Sequence, residues 1–175
     1  YSDSVEGAGQ ILRSLLQNTD VSLDGGNIEK FAAYVSDLSD TFKVDADEVT
    51  TVLNTLSKND VTTGITQGLD LLTVAFQKGG DRGGELLGLL NEYPDQLKKL
   101  GFNAQNLGLA IDNGFKLGVP SADKLIDTLK EFAIRSVDGS KQTSDAFKAA
   151  GLDSDKTIKR IAAGGPTARA AFKDV

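Results

Sequence analysis

The chain has 175 residues, 39% of them apolar but only 6% aromatic and none Trp, so any core must be built mainly from Leu, Ile, Val, Ala and Phe. A chain of this length buries roughly 70% of its unfolded surface, which is enough for a stable core. It contains no Cys and no His, which excludes disulfides, thiol nucleophiles, Cys/His zinc sites and a Ser-His-Asp triad. The net charge of −6 disfavours whole-surface attraction to nucleic acid or anionic lipid. It divides unevenly, with 10 basic and 19 acidic residues through Leu129 and 9 and 6 from Lys130 onward.

Apolar residues recur at helical spacing along most of the chain. Ile11, Leu12, Leu15 and Leu16 come first, then Ile28, Phe31, Ala32 and Val35. Val49, Val52, Leu53 and Leu56 follow, then Ile65, Leu69, Leu72 and Phe76, and later Leu125, Ile126, Leu129 and Phe132. No segment alternates with a period of two, so the expected fold class is all-α: about eight to ten short amphipathic helices joined by Gly/Pro turns. No apolar run approaches the roughly 18 to 20 residues that span a bilayer, and "YSDSVEGAGQ" is no signal peptide. Position 1 is not Met, and "AAFKDV" continues a helical pattern to the last residue. A single helical module within a longer polypeptide is the expectation, with residues 1–40 joined to it only by helical continuity.

Asp45, Asn103, Ser121 and Asp153 each precede a small residue, a polar residue and an apolar helical run. A side-chain oxygen at that position accepts a bond from an orphan amide of the first turn, typically worth about 1 kcal/mol. Intervals of 58, 18 and 32 residues between these starts are too irregular for a solenoid. Gly79-Gly80, Gly101, Gly118, Gly139, Gly151 and Gly164 mark helix ends, and helices of roughly 10 to 17 residues are expected between them. Pro94, Pro120 and Pro166 stand at or near the next starts, where a missing N–H matters least.

Several stretches imitate functional motifs. In "NTDVSLDGGNIEKF", Asp20, Ser22, Asp24 and Gly25 match the front of a calcium loop, but Phe31 occupies the place of the closing Glu; a helix start capped at Asn27 is the simpler reading. "GGDRGGELLG" lacks the Gly-Lys-Ser/Thr ending of a phosphate loop and carries Asp81 and Glu85, so it reads as a helix break. Gly64 and Gly68, Gly84 and Gly88, and Gly114 and Gly118 are four apart, a spacing that on a helix makes a close-packing face. Asp45, Asp47, Glu48, Asp153 and Asp155 could be offered as glycosidase carboxylates, although first-turn positions explain them through the helix dipole. Lys156, Lys159 and Arg160 form a small basic face without the interleaved aromatics of a nucleic-acid platform. In "AAGGPTARAAF" (162–172), Gly164 and Gly165 end one helix, Pro166 or Thr167 opens the next, and Arg169 has no phosphate-loop lysine beside it; a joint is favoured over an anion site. These residues suggest no catalytic, cofactor-binding or metal site.

The succession "ADEVTTVLNTLSK", "LLNEYPDQLKKLG", "DKLIDTLKEFAIRSVDGS", "AFKAAGLDSDK" and "IAAGGPTARAAF" is more specific in its order and spacing than any one piece. From Phe42 to Phe172 the chain resembles a stretch of phage tail tape measure proteins. The resemblance implies a structural, non-enzymatic virion protein without cofactors, which extends through the tail tube, sets its length during assembly and leaves ahead of the DNA. It implies tube, tip and assembly-chaperone partners, further copies of itself, and host membrane or a membrane protein during ejection, but no specific nucleic acid. Some members carry peptidoglycan hydrolases elsewhere; no such motif is visible here. This stretch has too many glycine-broken helices to be the ruler, which leaves a foldable module within the ruler protein. Two other readings compete with it. One is a membrane-active module using the glycine-spaced helices, and the other a hydrolase using Asp45, Asp47, Asp153 and Asp155.

Overall fold

A computed structural model describes Arg13 and residues 25–79 and 84–175. Among them are ten helices and no strand: α1 (Gly25–Phe42), α2 (Ala46–Lys58), α3 (Ile65–Gly79), α4 (Leu86–Glu92), α5 (Pro94–Lys99), α6 (Ala104–Lys116), α7 (Ala122–Arg135), α8 (Lys141–Ala149), α9 (Ser154–Ala162) and α10 (Gly165–Asp174). The apolar run at Ile11–Leu16 lies outside the described residues.

Three of the four expected caps form. Asp45 accepts from the amides of Asp47 at 2.7 Å and Glu48 at 3.2 Å, and Asp153 from that of Lys156 at 2.9 Å. Asn103 and Asn106 exchange side-chain-to-amide bonds in both directions, a capping box built from two asparagines. Ser121 is the exception: α7 does start after it, but its hydroxyl makes no cap bond and the residue is buried. Helix lengths also depart from expectation, running from six residues in α5 to eighteen in α1. Pro94 splits what periodicity alone would join, because its ring cannot continue α4 but suits the first position of α5.

α3 lies at the centre, packed on α1, α2, α6 and α7, while α4 joins α2 to α7 and α5 rests on α7. Val49, Val52, Leu53, Leu56, Ile65, Leu69, Leu72 and Phe76 are all buried, as their spacing predicts. Phe42 at the end of α1 stacks on Phe76 with ring centroids 5.0 Å apart. Helices α8, α9 and α10 pack in succession, and α10 returns to α5.

That return depends on one glycine. Gly101 ends α5 at φ +76°, and a Cβ there would collide with the Gly165 carbonyl oxygen and lie 2.7 Å from Arg169 Cβ. The α10 backbone comes this close because Gly101 brings no side chain to the crossing; Gly165 contributes its carbonyl, and a Cβ on Gly165 would meet nothing within 4 Å. Phe172 then closes the seam, edge-on to Phe102 at 5.7 Å and to Phe132 at 5.1 Å.

The glycine pairs do not make helix faces, contrary to the spacing argument. Gly64, Gly84 and Gly118 lie outside the helices, and exposed Gly88 has nothing near its missing side chain. Of these six glycines, Gly68, against Leu53, and Gly114, against Leu125 and Val119, are the two that let side chains approach a helix backbone closely.

The contrast between two of these glycines is measurable. Gly101→Ala should cost about 2–4 kcal/mol, from the left-handed backbone and the clash with α10, whereas Gly88→Ala in exposed helix should gain about 0.5–1 kcal/mol; urea unfolding of both variants checks it. A second expectation concerns pH. Asp112 is held below the usual carboxylate range chiefly by its hydrogen bond from Lys116, Glu131 by that from Arg135, and Asp138 by the amide of Ser140. Depressed folded-state values stabilise above the unfolded carboxylate range and lose that contribution as pH falls through them. The urea midpoint should therefore stay flat between about pH 6 and 8, with no histidine to titrate, and decline below about pH 4.

Candidate functional site

The acidic clusters are helix starts. Asp45, Asp47 and Glu48 are exposed at the head of α2, and Asp153 and Asp155 are exposed at the head of α9. Asp47 and Glu48 face a hollow of about 230 Å³ with Thr51 and Asn91, while Asp153 and Asp155 line a different one of about 470 Å³ with Lys156, Lys159 and Arg160. The α2 acids and the α9 acids thus open onto separate hollows, so the two groups do not share one cleft. The basic face shares its hollow with those two acids, and Arg160 is spent on Asp174 at 2.6 Å. Its positive charge is locally balanced.

The calcium-loop residues Asp20, Ser22 and Asp24 lie outside the described residues, and Gly25 is already helical. α1 is therefore under way before Asn27, so the start expected there moves toward the N-terminus. Within "GGDRGGELLG", residues 80–83 lie outside the described residues; α3 ends at Gly79, Gly84 and Glu85 are not helical, and Glu85 precedes α4 without a side-chain cap bond. No group of three or more metal-ligating side chains occurs among the described residues. No described helix is long and apolar enough to cross a membrane.

"AAGGPTARAAF" is a joint. Gly164, at φ +71°, ends α9, and α10 begins at Gly165, one residue earlier than read from the sequence, with Pro166 in its first turn. The Arg169 guanidinium lies 4.2 Å over the Phe102 ring centroid and 5.5 Å from that of Phe172. Burial lowers its pKa from the ordinary arginine value. It is engaged as a flat cation on aromatic faces, part of the α5–α10 seam.

Two features escaped the sequence reading. Asp123, in the first turn of α7, is 0% exposed, and neither carboxylate oxygen has a hydrogen-bond partner. The Lys124 ammonium stands 3.8 Å from Oδ2 and is shared with Glu85 at 3.6 Å. A buried carboxylate so poorly compensated opposes folding.

The second is a groove of about 550 Å³ between α3 and α6. Val61 O accepts from the Ala104 amide at 2.7 Å, and Lys78 pairs with Asp112 at 3.3 Å, so the two helices run the same way. Leu71, Val74, Ala104 and Gly108 form its floor and walls, Gln67 and Asp70 stand at the early end, and Leu109, 58% exposed, projects at its rim. Leu109 and Val74 are visible in the sequence as apolar residues, but only the pairing of α3 with α6 makes them one surface.

No curated protein and no solved structure matches the chain. The family model described as "Phage-related minor tail protein" matches residues 1–174. Since that match covers nearly the whole chain, the protein belongs to the phage-related minor tail protein family and is a phage tail protein.

Proposed function

We propose that this chain is a foldable helical module of a tail tape measure protein, acting by protein contacts in tail assembly and length determination and leaving with the ruler at genome ejection. The observation that carries this reading is the ordered run of capped helices from Phe42 to Phe172 resembling that family, within a chain that matches the minor tail family throughout. Tube, tip and chaperone proteins are its partners on this reading, and the inside of the tail tube is its location.

Passage along a tube favours a module that opens at modest cost. Three features support such opening: helices too short to persist alone, glycine joints that raise the entropy of the unfolded chain, and the buried Asp123, whose oxygens lack hydrogen-bond donors.

Quantitative peptide mass spectrometry of purified virions, before and after triggered ejection, tests the assignment. Peptides of this chain should be present in intact tails and released with the DNA; their absence from virions, or retention in emptied tubes, would overturn it. Opening has a separate test: Asp123→Ala should raise stability by about 1–3 kcal/mol by removing a buried carboxylate that has no hydrogen-bond partner. A fall in the urea midpoint would show that Asp123 supports the fold.

A further inference from the structure

We propose that the α3–α6 groove is a self-association surface, occupied by the same groove of a second copy running antiparallel. Charge is distributed unevenly along it. Asp70 has no ion pair among the described residues, so the early end carries a net negative charge. At the late end Lys78 and Lys116 flank a single carboxylate, Asp112, at 3.3 and 2.5 Å, leaving a net positive charge. The groove is bipolar along its length.

Asp70 and Lys78 lie one helical turn before and one after Val74, on the same face of α3. A two-fold axis passing near Val74 brings Asp70 of each copy opposite Lys78 of the other, twice in one interface, while a parallel arrangement would set like charges together. This is the self-complementarity that an isologous contact requires.

Shape agrees with charge. Leu109 projects from the rim near the middle of the groove, and Gly108 beside it offers no side chain to fill the space: a Cβ there would meet only Leu71 Cδ1, at 3.9 Å. The antiparallel copy brings its own Leu109 to this opening, so each groove receives the knob that the other presents. The surface is small, and the dimer is correspondingly weak and reversible.

Sedimentation velocity of the 175-residue chain, up to about 1 mM, tests this. The wild type should show a concentration-dependent dimer, and Leu109→Asp should raise its Kd by about tenfold or more. Asp70→Lys and Lys78→Glu should each weaken self-association, because each places like charges opposite in both contacts. An equimolar mixture of these two variants should recover dimers, since the two introduced charges, opposite in sign, then face each other in one contact and the native Lys78 meets the native Asp70 in the other. A chain that stays monomeric throughout, a dimer indifferent to Leu109→Asp, or a mixture that associates no better than either variant alone would overturn the proposal. A groove that serves another tail protein would give the first of these results.

Discussion

Short helices make this protein wholly dependent on burial. An isolated helix of fewer than about 12–15 residues is marginal in water, because nucleation fixes several residues for one hydrogen bond. α4 has seven residues and α5 six, and both keep their shape because Leu86, Leu90 and Leu97 are removed from water against neighbouring helices. Caps at Asp45, Asn103 and Asp153 set where helices start, but the leucine-rich core around α3 decides that they exist. The surface ion pairs, such as Lys141 with Asp145 at 2.5 Å, contribute little beside this.

The same dependence explains the joints. Where two short helices must meet without a long interface, backbone has to approach backbone, and Gly101 against the Gly165 carbonyl is that solution. Arg169 and Phe172 then shield the crossing from water, so a stretch with the superficial look of an anion loop becomes part of the packing. A tail protein assembled from such units owes its cohesion to many small contacts.

Burial also leaves polar groups stranded. Asp123 occupies a position where an acidic side chain ordinarily benefits from the helix dipole, yet the packing of α7 closes over it without supplying donors. Ser121, two residues earlier, is buried for the same reason and forms no cap. Local rules place both residues at a helix start, and the neighbouring helices then decide what that start touches.

Periodicity and end signals in the sequence by themselves determined the all-α class, the burial of the stripes on α2 and α3, and nearly every joint, because those features depend on residues within one or two turns of each other. The glycine pairs misled, since a spacing of four implies a shared face only if both residues are helical, and Gly64, Gly84 and Gly118 are not. What only the tertiary structure decided were the features made by residues far apart in the chain. Leu71 and Gly108 became neighbours through the pairing of α3 with α6, Arg169 found Phe102 through the return of α10 to α5, and Asp123 lost its solvent. The physical reason is that a helix start is a local hydrogen-bonding event, whereas a groove, a seam or a buried charge is defined by what lies across from it.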